Sequence, residues 1–176
     1  MTETSPRFHI ALLNPEIGPN AGNIGRLCLG LRARLHLVHP LGFRTDEKAV
    51  RRAGLDYWKH VDVIEHADQD AFFEWVADRP LHLFSARGER SFLACPFEPG
   101  SVLLFGRESR GLPASLIEQH GAYKIPVEPT VRSLNLSNAV AVVGYSALQQ
   151  VAPELFGAGT EGALRTTTPR GTDVAP

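Results

Sequence analysis

Two cysteines in 176 residues, Cys28 and Cys95, stand far apart and form no CxxC pair. That excludes a disulfide framework and a cysteine metal site. The seven histidines fall in no HxxxH or HExxH arrangement, so no metal is expected, and most read as surface or strand-edge residues. No run of about eighteen apolar residues is present, which argues against a membrane-spanning helix. The stretch MTETSPRF does not pair a charged start with an apolar segment, and a cytoplasmic protein with no membrane partner is expected. Neither GxxxxGKS/T nor GxGxxG follows the first apolar run, so a nucleotide-binding metabolic enzyme with a flavodoxin-like sheet would lack its phosphate loop. The net charge of −1 gives no global basicity, and a nucleic-acid partner would need a local patch. No internal repeat is visible.

What remains is a chain that is 43% apolar and 21% charged, long enough to bury a core. One domain over 1–156 is expected, followed by a disordered Gly/Thr/Pro-rich tail over 157–176. Apolar runs predict strands at Phe8–Leu13, Arg34–Val38, Val61–Ile64, Leu81–Ser85 and Val102–Phe105, with a short one at Tyr123–Ile125 before Pro126. Ile24, Leu27, Cys28 and Leu31 mark one face of a helix from Asn20, with Arg26 nearly opposite and Asn23 on the flank. A short helix is expected over 46–53, and another capped by Asp68. Pro113 opens a further helix near its first turn. Leu136, Ala139, Val140, Val143, Ala147, Leu148 and Val151 then mark a strongly apolar one. Strands alternating with helices predict an α/β fold with a mostly parallel sheet flanked by helices.

In such sheets ligands sit beyond the carboxyl ends of the strands. Three polar stretches fall there: Ser85–Gly88, Gly106–Gly111 and Val127–Asn138. The last, with Arg132, Ser133, Asn135, Ser137 and Asn138 at the start of the apolar helix, reads equally as ordinary capping or as a polar ligand site. Lys48, Arg51, Arg52 and Lys59, with Tyr57 and Trp58, read either as a grip on a nucleic-acid loop or as a solvated face with two core aromatics, and Arg44 joins whichever holds.

Three motifs decide more. Asn20-Ala21-Gly22-Asn23-Ile24-Gly25-Arg26, Phe105-Gly106-Arg107-Glu108-Ser109-Arg110-Gly111-Leu112-Pro113, and Ile125-Pro126 with Arg132-Ser133-Leu134-Asn135-Leu136-Ser137-Asn138-Ala139-Val140 occur in that order. Together they resemble the SPOUT superfamily of trefoil-knot RNA methyltransferases, and within it the tRNA 2′-O-methyltransferases of the wobble pyrimidine. Arg51-Arg52-Ala53-Gly54-Leu55-Asp56-Tyr57 is similar to a stretch of those wobble enzymes. The resemblance covers about Phe8 to Gln150. It implies a C-terminal deep knot, S-adenosylmethionine as cofactor, tRNA (the anticodon stem-loop) as partner, and a homodimer in which the second subunit completes each site. It also implies cofactor contacts by Ala86, Gly106, Ile125, Ser133, Leu134 and Asn135, chemistry at Arg26 with Asn20 and Asn23 fixing it or the ribose, and RNA contacts by Arg44, Lys48, Arg51, Arg52, Tyr57 and Trp58. Val142 and Tyr145 are expected at the dimer contact, with a plain core tyrosine as the other reading of Tyr145. Glu108 is expected to pair with Arg110, to hold the cofactor's amino group, or to hold RNA-facing water. Ser85–Gly88 departs from the family pattern, which puts side-chain but not backbone contacts there in question, and Arg107 and Ser109 depart from it in a way expected to alter loop rigidity. Another RNA position, and an RNA-binding module that no longer methylates, remain the rival functions.

Overall fold

The computed structural model describes residues 5–46 and 56–157. The helix expected over 46–53, apart from Asp46, lies outside the described residues, as do Lys48, Arg51, Arg52 and the tail after Gly157. Within the described residues seven strands pair in parallel: β1 (His9–Leu13), β2 (Arg34–Val38), β3 (Val63–His66), β4 (Leu81–Phe84), β5 (Arg90–Ser91), β6 (Val102–Phe105) and β7 (Tyr123–Lys124). Their order is β3-β2-β1-β6-β4-β7-β5. The helices are α1 (Gly18–Leu31), α2 (Gln69–Val76), α3 (Ala114–His120), α4 (Leu136–Val151) and a last short turn, α5 (Glu154–Gly157). The third strand begins two residues later than its apolar run suggested. The two-residue β5 carries only Arg90 and Ser91, a pair too short and polar for any pattern to mark.

Side chains alternate across each strand, so β1 and β6 feed two separate cores. Ile10, Leu12, Leu103 and Phe105 face α1 and α4, where Ile24, Cys28, Leu31, Val140, Val143 and Ala147 close the layer. Ala11, Leu13, Val102 and Leu104 face the other way, onto Phe72 and Val76 of α2 and Leu116 of α3. Each large side chain buried this way contributes about 1.5–3 kcal/mol. Helices α1 and α4 cross closely: a Cβ at Gly144 would lie 2.7 Å from Leu31 Cδ1. Asp68 caps α2 as expected, accepting from the Ala71 amide at 2.8 Å.

Three of the seven histidines depart from the surface or strand-edge placement expected of most of them. His9, His36 and His66 are 8%, 0% and 7% exposed, one on each of three adjacent strands. Ala11 pairs with His36 and Val38 with His66, so the three rings lie on one diagonal of the α2 face. His9 Nδ1 and His36 Nε2 are 3.0 Å apart, His36 Nδ1 and His66 Nε2 are 2.9 Å apart, and Trp75 packs over the set. A chain of neutral imidazoles, each donating to the next, satisfies its own polar atoms and so tolerates burial. Burial pushes His9 down to about 4 and His36 down to about 2, with the nearby Arg34 and Arg79 charges adding to the effect, and burial lowers His66 as well.

Unfolded histidine titrates at about 6.5, so between there and pH 4 the unfolded chain binds protons that the native chain refuses. The stability these groups contribute is fully present above about 6.5 and is lost as pH falls toward 4. Urea unfolding at pH 7, 6, 5 and 4 should show this loss, and His36→Gln should make it shallower. A flat profile over that range would show that the rings are protonated in place.

Candidate active site

Beyond the carboxyl ends of β4, β6 and β7 lies a cavity of about 930 Å³. All three polar strand-end stretches reach it: Ser85, Ala86 and Arg87 after β4, the whole of 106–111 after β6, and Ile125–Val127 with Arg132–Leu136 after β7. Ala86, Gly106, Ile125, Ser133, Leu134 and Asn135 therefore share one cavity although 49 residues of chain separate the first from the last. Asn20 lines it from α1.

The loop after β6 is folded tightly on itself. Gly111 sits at φ +68°, its amide donates to the Arg107 carbonyl at 2.8 Å, and the two residues form an isolated antiparallel bridge. A Cβ at Gly106 would lie 2.1 Å from Gly111 C and 2.2 Å from Leu112 N. Glycine at 106 thus serves the loop's own closure as well as lining the cavity. The Arg87 guanidinium donates to the Leu112 carbonyl and ties the loop after β4 to this one.

Glu108 does not pair with Arg110. Its carboxylate accepts from the backbone amides of Glu16 at 2.8 Å and Ile17 at 3.3 Å and from Asn20 Nδ2 at 2.9 Å. These donors sit at the uncapped start of α1, where a negative charge is favoured. Glu16 answers in the other direction, accepting from the Ser109 amide and hydroxyl at 2.9 and 2.8 Å, bonds that hold its carboxyl below the usual range. Two loops 92 residues apart are clasped by exchanged carboxylates.

Asn20 carries the clasp further. Its Oδ1 accepts from Asn135 Nδ2 at 3.0 Å, while Asn135 Oδ1 accepts from the Ser137 amide at 2.9 Å and hydroxyl at 2.7 Å. Asn135 is thus the N-cap of α4 and a wall of the cavity at once. Asn20, expected beside Arg26, is only 5% exposed and bridges Glu108 to Asn135.

Arg26 lies elsewhere. With Asn23, Gly30, Ser137, Asn138 and Tyr145 it lines a second, shallower groove between α1 and α4. Its guanidinium carbon sits 5.7 Å from the centroid of Tyr57, whose hydroxyl donates to the Gly22 carbonyl at 3.0 Å. Trp58 covers Gly25 so closely that a Cβ there would lie 2.5 Å from the ring. Both aromatics are half-buried and pack against α1; a glycine at 25, costly inside a helix, was the signal for that approach. Arg44 is exposed and bonded to Asp46 at 2.6 Å, and Lys59 is exposed. Tyr145 and Val142 are 51% and 39% exposed, so Tyr145 is not a core tyrosine in the single chain. Among the described residues no group of three or more His, Cys, Asp or Glu side chains is placed to hold a metal ion, and no helix is long and apolar enough to cross a membrane. Cys28 and Cys95 are buried, each thiol pushed up to about 12, and neither lines either recess.

The whole arrangement has relatives. The chain is 46% identical over 149 residues to a tRNA (cytidine(34)-2′-O)-methyltransferase of Escherichia coli K12, covering 82% of this chain and 94% of that one. It is 45% identical over 148 residues to the enzyme of the same name from Burkholderia ambifaria, covering 81% and 95%. A solved structure concerned with 2-OH methylation of C/U34 on tRNA superposes with a TM-score of 0.79 at 44% identity, covering 85% of this chain and 99% of that one. The α/β fold is that of the trefoil-knot methyltransferases. Residues 7–145 match the model of the SpoU rRNA methylase family, and this chain belongs to that family.

Proposed function

We propose that this protein is an S-adenosylmethionine-dependent methyltransferase acting on the ribose 2′-hydroxyl at wobble position 34 of tRNA. The observation that carries the reading is the convergence of the three polar strand-end stretches, after β4, β6 and β7, on one cavity. Relatives of that named activity, nearly co-extensive with this chain, support it. The lining fits the cofactor: Ile125, Leu134 and Phe105 offer apolar walls for an adenine, and Ser133 offers a donor and acceptor for polar groups.

Held there by Ile125, Leu134, Phe105 and Ser133, the cofactor would supply an electrophilic methyl group on a sulfonium, leaving as the neutral thioether, and the proton of the ribose hydroxyl would pass to solvent water. Arg26 stays protonated and is not the base. It orients the hydroxyl and binds the adjacent phosphate, which places the nucleophile. Tyr57 holds the guanidinium from one side, and Asn23 lies a helical turn away. Arg26 lines a groove separate from the cavity of its own chain, and Val142 and Tyr145 leave apolar surface beside it. Both features support a homodimer in which the Arg26 of one subunit serves the cavity of the other. Arg51 and Arg52 add phosphate contacts to the anticodon stem-loop, and a cytoplasmic enzyme follows from this substrate.

The test is methyl transfer from labelled S-adenosylmethionine to bulk tRNA, followed by nuclease digestion. Label should appear in a nuclease-resistant 2′-O-methylated dinucleotide; label on a base would overturn the reading.

A further inference from the structure

The cavity is lined by Arg87, Arg107, Arg110, Lys124 and Arg132 against a single carboxylate, Glu108. That carboxylate accepts three N–H groups at the start of α1. Glu16, the acid beside Arg107 and Arg110, is held by the Ser109 amide and hydroxyl. Arg87 and Arg107 have structural partners, the Leu112 carbonyl and Asn14 Oδ1. The other three differ. Arg110, Lys124 and Arg132 are exposed, and none of their side chains makes an ion pair or hydrogen bond among the described residues.

S-adenosylmethionine does not account for them. Its sulfonium and ammonium outweigh its carboxylate, so it carries net positive charge and calls for no further cations, while solvent screens these three exposed ones from it. A polyanion at the mouth of the cavity does account for them. We propose that Arg110, Lys124 and Arg132 form a phosphate-binding rim that seats the RNA backbone over the cofactor cavity. The rim rests on the function proposed above and adds a second electrostatic contact, distinct from the Arg44–Lys59 region. It draws on the loop after β6 and on β7 with the loop that follows it, two of the segments that wall the cavity, so the surface that meets RNA exists only where those segments have come together.

The test is the triple variant Arg110→Gln, Lys124→Gln, Arg132→Gln, which keeps polar side chains at three exposed positions. Two probes are used: S-adenosylmethionine by calorimetry, and an in-vitro-transcribed tRNA by filter binding from 50 to 200 mM salt. The affinity for tRNA should fall at least about tenfold, and the slope of log K against log salt should become shallower by about 2, three phosphates at roughly 0.7 each. Cofactor affinity should stay within about twofold of wild type. An unchanged salt slope would overturn the rim, and so would cofactor binding that weakens more than RNA binding. If the triple variant melts early, the single Arg132→Gln variant carries the same test with a slope change of about 0.7. A wild-type protein that binds no cofactor or methylates no tRNA would refute the proposed function; a wild-type protein that does both while the variant keeps its slope would refute the rim alone.

Discussion

Replacing Arg26 with alanine is expected to leave cofactor affinity at its wild-type value while kcat for tRNA methylation falls by about 100-fold or more. The two readouts separate because the two recesses are separate. Arg26 lines the groove between α1 and α4, and the cofactor cavity opens beyond β4, β6 and β7 without touching it. Truncation removes the group that orients the hydroxyl and leaves the bonds that support the cavity in place, since Asn20 bonds to Glu108 and Asn135 and not to Arg26. Equal loss of cofactor binding and turnover would make Arg26 a structural residue. The same variant probes the dimer. Mixing it with a variant damaged only in the cavity should restore about a quarter of wild-type activity, because half the dimers would be mixed and each would hold one intact composite site. No recovery would place Arg26 and its cavity in one chain.

The second large effect is expected at Gly106. Alanine there brings a Cβ to 2.1 Å from the backbone of Gly111, far inside contact distance. The atoms it meets are main chain, fixed by the Arg107–Gly111 bridge, and do not swing aside as a side-chain tip would. The loop must open, at a cost of about 1–3 kcal/mol by analogy with overpacked cores. Opening displaces Glu108 and Ser109, the two residues that clasp this loop to the start of α1. Cofactor affinity should fall more than about tenfold while far-ultraviolet circular dichroism stays native, because the strands do not depend on the loop. Wild-type affinity in Gly106→Ala would show that the cavity tolerates an open loop.

How much of this was legible in the sequence depends on how local the cause is. The strands other than β5, with α4 and the Asp68 cap, follow from periodicity and a capping side chain, which act within a few residues. The three loops were legible as a site because parallel strands put their carboxyl ends on one edge, so separate polar stretches had to converge there. The clasp was not legible: Glu16 and Glu108 are 92 residues apart, and nothing in either neighbourhood says that their carboxylates are exchanged. The histidine chain failed for the same reason. His9, His36 and His66 form no spacing motif and become neighbours only through strand register. His36 did carry a signal, since it lies between Leu35 and Leu37 in a strand whose alternate face is also covered. Trp58 against Gly25 was half legible, in the glycine alone.

The central claim is that the methyl group goes to the ribose of nucleotide 34. The most direct measurement is mass-spectrometric mapping of a tRNA carrying cytidine or uridine at position 34, after incubation with the purified protein and S-adenosylmethionine. A single methyl group on the 2′-oxygen of nucleotide 34, absent when that position is 2′-deoxy, is the predicted result. A methyl group at any other nucleotide, or none on a tRNA that the protein binds, would contradict it.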